Sequence, residues 1–354
     1  MEKIYNIFLG LPPHNIDINH PLHSNFGLFF HLKKSSNLGK QYRQVTDWLD
    51  LQDNIQNFHN LKQLEYFINR LDKTFHNKIN LVIFSKKEFL AQSELQLILN
   101  IVEELNNLKH IDIDIKSNLN NFEIFYSKLE FYKFMKENNF QQFIPEYSLL
   151  YEDKSVNNLR FPLLIRNSVS SGGKDTFFVS NMKELKKIKR LLYFKNLIWS
   201  QNKKQWFVQE FIDTKLKFGY YRSFRVLAFN SKPYFIYPNV SYSNPITHVS
   251  EKDKLPKHLF LESVNFGIDI FNIHKNLFTE IFKKLDNPFS ALDFVCTDSD
   301  NVYISEAELK YGPSEKYVIN QIQYFDLDQE FFNDIRSRIN IDPLNFDDLN
   351  SIFE

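Results

Sequence analysis

Between Phe161 and Ser180 the chain reads Phe-Pro-Leu-Leu-Ile-Arg-Asn-Ser-Val-Ser-Ser-Gly-Gly-Lys-Asp-Thr-Phe-Phe-Val-Ser, two β-prone runs around a loop of small residues. Ser170, Ser171, Gly172 and Gly173 let backbone N–H groups approach a polyanion, while Arg166 at the strand end and Lys174 in the loop supply positive charge. That combination suits a phosphate flap. A plain β-hairpin whose Ser and Gly only make the turn is the competing reading of the same segment.

Two further stretches carry chemistry. Trp206-Phe-Val-Gln209-Glu210-Phe211-Ile212-Asp213 is an apolar strand ending in polar and acidic residues. A purine can bond to the free backbone of such a strand end while Glu210 or Asp213 accepts from ribose hydroxyls; the alternative is a core strand with surface carboxylates at its tip. Farther on, Leu292-Asp293-Phe294 precedes Tyr303-Ile-Ser-Glu306-Ala-Glu308-Leu-Lys310. Period-two geometry puts Glu306, Glu308 and Lys310 on one face of a strand, and a hairpin partner can set Asp293 beside them. Three carboxylates on one surface repel, and bound Mg²⁺ would remove that conflict. A solvated polar face on a half-buried sheet is the other reading.

These residues need elements to hold them. The first third alternates strand and helix: Ile4–Leu9, a helix over Leu61–Phe75, a strand over Ile79–Phe84, a helix over Glu88–Leu105 and a strand over Ile111–Ile115. That order predicts a small α/β domain with a parallel sheet, residues 14–58 being unassigned. Ser117–Asn121 reads as a polar linker. A helix over Ser127–Glu137 follows, with either Leu129, Tyr132 and Met135 or Phe131 and Phe134 facing inward, then predominantly strands: Glu146–Tyr151, Pro162–Arg166, Thr176–Val179, Phe207–Ile212, Tyr220–Phe229, Lys232–Val240, Phe289–Thr297 and Val302–Leu309. Helices over Met182–Leu192 and Ile270–Leu285 interrupt them, an α+β pattern. Lys183–Arg190 reads as the wet face of the first of these, over Leu185, Ile188 and Leu192. Ser241–Lys257 is a polar stretch that suits either a substrate lid or an ordinary connection.

Composition bounds the partners. Lys plus Arg and Asp plus Glu both number 43, so no net field draws the chain to nucleic acid or to an anionic membrane. A single cysteine, Cys296, excludes an intramolecular disulfide and a cysteine-built zinc site; its apolar surroundings point to buried packing. His14, His20, His23 and His31 lack metal-ligand spacing and read as scattered loop histidines. No run of eighteen apolar residues and no signal-like N-terminus is present, so a cytoplasmic protein is expected.

In order and spacing, the pieces of the last two thirds resemble the ATP-grasp superfamily. Pro162 to Lys174 looks like the Pro-x-x-x-Arg-x-Ser-x-x-x-Gly-Gly-basic stretch of its carbamoyl-phosphate synthetase branch. The resemblance implies an α/β N-terminal domain (1–120), an α+β ATP-grasp fold in two subdomains clasping ATP (121–205 and 206–330) and a helical tail (331–354). It implies that Lys128 and Arg166 lie near the ATP phosphates, that Gln209 to Ile212 form the adenine hinge, that Asp293 and Glu306 hold Mg²⁺, and that Arg225 reaches the γ-phosphate or an acyl phosphate. Lys310 is a second catalytic candidate, and Gly312 sits at the family's post-metal glycine. Two positions depart: Glu308 stands where members usually have Asn, and Ser223 where an acidic residue is frequent. The implied activity is carboxylate–amine ligation through an acyl phosphate, on small-molecule or peptide substrates. A kinase for a stable alcohol and a nucleotide-binding regulator without turnover are the alternatives.

Overall fold

The computed structural model describes residues 2–9, 30–31, 42–43, 55–58, 61–83, 99–100, 102–104, 106–107, 110–118, 121–170, 175–198, 205–215, 219–241, 256–297, 301–309, 334, 337–339 and 341. Most of the expected Glu88–Leu105 helix, His14, His20 and His23, the stretch 242–255 and most of the tail 331–354 lie outside these residues.

The N-terminal third holds β1 (Glu2–Leu9), β2 (Phe30–His31), β3 (Tyr42–Arg43), β4 (Ile55–Phe58), helix α1 (Leu61–Asn69), β5 (His76–Ile83) and β6 (Ile111–Ile115). β4, β1, β5 and β6 form one parallel sheet in that order, and β2 pairs with β3. In β5 Ile79, Leu81, Val82 and Ile83 are all buried, as a strand of a parallel sheet covered on both faces requires. The helix expected to reach Phe75 stops at Asn69. There Arg70 N–H donates to Phe67 O (3.0 Å), and Asp72 Oδ1 accepts from both the backbone and the hydroxyl of Thr74 (2.9 and 2.7 Å), a side-chain turn that outcompetes another helical turn. The described ends of the stretch read as a linker make specific hydrogen bonds. The Ser117 hydroxyl accepts from Ile83 N (2.9 Å) and donates to Ile83 O (3.1 Å), and Asn121 Nδ2 donates to Leu285 O (2.9 Å).

Next come α2 (Phe122–Tyr126), α3 (Lys128–Glu137), β7 (Tyr147–Leu149), α4 (Asp153–Val156), β8 (Leu163–Asn167), β9 (Thr176–Val179), α5 (Met182–Ile198) and β10 (Trp206–Glu210). Ser127 caps α3, its hydroxyl accepting from Glu130 N (3.3 Å). The sheet runs β7-β10-β8-β9, all antiparallel. Alternation divides its faces. Leu163, Ile165, Val179, Trp206 and Val208 pack with Leu185 and Leu192 of α5 into one core, while Phe207 joins the core that contains α3.

A third sheet, β12-β11-β13-β14, is also antiparallel: β11 (Tyr221–Phe229), β12 (Lys232–Ser241), β13 (Phe289–Cys296) and β14 (Val302–Glu308), backed by α6 (Lys257–Ile273) and α7 (Lys275–Leu285). Where one helix over Ile270–Leu285 is expected, two are found, separated at His274 (φ −105°, ψ 17°). Gly267 masks the first of them in the sequence, yet the helix needs a glycine there, since a Cβ would lie 2.6 Å from Cδ1 of Phe224 on β11. Cys296 is fully buried, as expected. Among the described residues no helix is long and apolar enough to cross a membrane.

Candidate active site

Cross-strand register brings the acidic residues together. Arg225 on β11 lies opposite Asp293 on β13, and Asp293 opposite Glu306 on β14. The next pair is Phe294 with Ile304, so Ser305 is an extra residue, a β-bulge, and its hydroxyl donates to Asp293 O (3.2 Å). In strict alternation Ile304 and Glu306 would share a face. The bulge breaks that rule, leaving Ile304 and Ala307 in the core while Glu306 and Glu308 stay partly exposed. Carboxylate oxygens of Asp293, Glu306 and Glu308 then lie within 4.8 Å of one another.

Cations from three elements meet them. Arg225 donates through Nε and Nη2 to both oxygens of Asp293, and its Nη2 lies 3.0 Å from Glu308 Oε2. Lys128, in the first turn of α3, places Nζ 2.7 Å from Glu306 Oε2 and also donates to the carbonyl of Ser170. Arg166, at the end of β8, reaches Glu306 Oε1 from 3.8 Å. The mutual repulsion expected of three carboxylates is therefore partly offset by protein cations. Burial pushes the Glu306 carboxyl up, but Lys128 and Arg166 outweigh it and hold the group below its ordinary value. For Asp293 burial prevails over Arg225 and the group is pushed up. Burial also opposes the Arg225 charge, but Asp293 and Glu308 overcome it and keep the guanidinium protonated.

Ser168 and Ser170, at the described base of the glycine loop, lie beside Lys128. Lys128 N–H donates to Ser168 O (2.9 Å), and the Ser170 hydroxyl donates to Asn167 O (2.9 Å). Its tip, Ser171, Gly172, Gly173 and Lys174, lies outside the described residues, as do Lys310 and Gly312. β8 and β9 do pair as the flanking hairpin.

Gln209, expected in the adenine hinge, lies inside the strand ladder. Its backbone is paired on both sides, with Tyr147 and Leu164, and its side-chain oxygen accepts from the Tyr132 hydroxyl (3.0 Å) and faces Arg166 Nη1 at 3.5 Å. The ladder runs one residue farther, to Glu210, which pairs with Leu163 and donates its N–H to Glu146 O (2.9 Å). Phe211 N–H donates to Pro162 O (3.1 Å), Glu210 Oε1 accepts from Arg160 N (2.9 Å), and Asp213 Oδ1 accepts from Lys215 N (2.9 Å). The Phe211 ring packs edge-on against Phe178 (5.1 Å) and near Tyr221 (6.1 Å), leaving Ile212 beside it at the crossing from the second sheet to the third. Sequence reasoning treats Tyr132 as packing alone. Its i, i+4 relation to Lys128 is the signal that places both side chains on one face of α3.

No protein-family model and no curated protein matches the sequence. Among solved structures, the chain is similar to D-alanine–D-alanine ligase from Bacillus anthracis, at 10% identity over 96% of this chain and 97% of that one, with a TM-score of 0.49. It is similar to N5-carboxyaminoimidazole ribonucleotide synthetase from Thermotoga maritima at 14% identity, over 97% and 77% of the two chains, with a TM-score of 0.46. A RimK domain protein, ATP-grasp, from Sphaerobacter thermophilus is similar at 8% identity, over 94% and 99%, with a TM-score of 0.44.

Proposed function

We propose that the chain is an ATP-dependent ligase that joins a carboxylate to an amine through an acyl phosphate. The observation that carries this reading is the state of Arg166. Its guanidinium has long contacts, 3.5 Å to Gln209 and 3.8 Å to Glu306, and its buried Nε has no hydrogen-bond partner among the described residues. An orphaned buried donor on a cation, beside a second cation on Lys128, suits a phosphate.

The donor set fits the metal as well: three carboxylates within reach of one another are the hard oxygen ligands that Mg²⁺ takes. When bound there, Mg²⁺ would neutralise charge on the phosphates and hold them in line. The chain's own residues do the rest. Lys128 and Arg166 exchange Glu306 for phosphate oxygens, and Ser170 to Lys174 close over them as a flap. In the hinge Gln209 to Ile212, backbone groups left unpaired beyond the ladder take the adenine, and Asp213 or Glu210 the ribose. Arg225 exchanges part of its hold on Asp293 and Glu308 for the transferring group, with Lys310 as a second cation. Phosphoryl transfer needs positioning and charge more than covalent help, which such a cluster supplies.

Calorimetry with ATP and Mg²⁺ tests the binding step; a folded protein that takes up no nucleotide in the presence of Mg²⁺ refutes the reading. Hydroxylamine added to the protein with ATP and a carboxylate library separates the chemistries. A ligase yields a hydroxamate from its substrate acid, and ATP consumption with a phosphorylated alcohol and no hydroxamate replaces the ligase by a kinase.

A further inference from the structure

Tyr132 spends its hydroxyl in a place where phenylalanine would pack as well. Its ring is fully buried, with Tyr147 at 4.9 Å and Phe207 at 5.8 Å between centroids. One step away, Gln209 is also buried, on the inner face of the second sheet beside Phe207 and Arg166. Burying a phenol and an amide here carries a desolvation cost that a Phe and Leu pair would avoid.

The bonds show what the pair achieves. Gln209 Oε1 accepts from Tyr132 at 3.0 Å and faces Arg166 Nη1 at 3.5 Å, so one oxygen serves two donors. Arginine only donates; the amide must therefore present its oxygen to it, and the Tyr132 hydroxyl holds the amide in that orientation. Burial pushes the Tyr132 phenol up, which keeps it a neutral donor at working pH. Arg166 also approaches Glu306 at 3.8 Å, and its charge acts on the Tyr132 phenol itself. Resting on the phosphate-site reading above, we propose that Tyr132 and Gln209 are positioning residues that aim the Arg166 guanidinium at the nucleotide's phosphates.

A double-mutant cycle read by calorimetry tests this. Mg²⁺ and a non-hydrolysable ATP analogue are titrated into wild type, Tyr132→Phe, Arg166→Ala and the double variant, with unfolding midpoints measured alongside. Tyr132→Phe should weaken binding about 3- to 10-fold in the wild-type background and leave it unchanged once Arg166 is gone. A purely structural tyrosine would lower affinity by the same factor in both backgrounds, and that result, or no change in either, overturns the positioning role. Should Tyr132→Phe lower the unfolding midpoint, Gln209→Leu runs the same cycle from the other partner with the same criterion. A wild-type protein that binds no analogue overturns the reading of the site itself, an outcome distinct from loss of coupling.

Discussion

Asp293 and Glu308 share one guanidinium, but unequally. Asp293 takes two of the Arg225 nitrogens and Glu308 one, at 3.0 Å. Asp293→Asn leaves a buried cation with its weaker partner and should destabilise the protein by about 2–4 kcal/mol. Glu308→Asn keeps the two-point pairing and should cost ~1 kcal/mol or less. Urea melts check the order, and a larger loss for Glu308→Asn would contradict it. On the opposite side, Lys128→Ala and Arg166→Ala should each weaken nucleotide binding roughly tenfold or more, each removing a charge-assisted contact. Calorimetry with unchanged affinity in both would move the phosphate site elsewhere. The acidic trio is legible in the sequence because a strand's period needs only neighbouring residues to be seen. Its cations are legible one at a time; their pairing is not, since Lys128 and Glu306 are 178 positions apart and meet only through packing.

Among the elements, α6 shows how a local signal misleads. Gly267 costs a helix about 1 kcal/mol against alanine, and the sequence reading starts the helix only at Ile270. The structure reverses that logic. A Cβ at position 267 would lie 2.6 and 2.7 Å from two atoms of the Phe224 ring, and Phe224 precedes Arg225 on β11. Gly267→Ala should therefore destabilise by about 1–3 kcal/mol despite its better propensity, because overpacking a filled core exceeds the helical gain. A thermal melt showing stabilisation would refute the crowding argument. The bulge at Ser305 is the opposite case, legible after all: apolar residues at Val302 and Ile304 recur at Ala307 and Leu309, and the odd step marks the extra residue. The strand order β4-β1-β5-β6 is not legible, because nothing between β1 and β5 announces that β4 pairs on the outer side of β1.

At the scale of the molecule, packing is divided unevenly. One apolar core joins Ile7, Ile79 and Ile113 of the first sheet to Phe131 and Met135 of α3 and on to Leu292 and Phe294 of the third sheet. The second sheet and α5 keep a separate, smaller core. Hydrogen exchange should find β8 and β9 opening at lower free energy than β11 and β13, as smaller cooperative units do. Equal protection would show that the two cores unfold together.

The buried thiol on β13 has a practical corollary. Cys296 is the chain's single cysteine, fully buried, and sits three residues beyond Asp293 on the same strand. A thiol reagent can reach its sulfur only when that strand leaves its neighbours, so the reaction is a stopwatch for the strand that carries a proposed metal ligand, started without installing a probe. In the regime where reclosing is fast, a ligand that binds only the closed form at 100 times its Kd should slow labelling about a hundredfold. Run against a panel of nucleotides and candidate acids, the same stopwatch would rank ligands before any product is known.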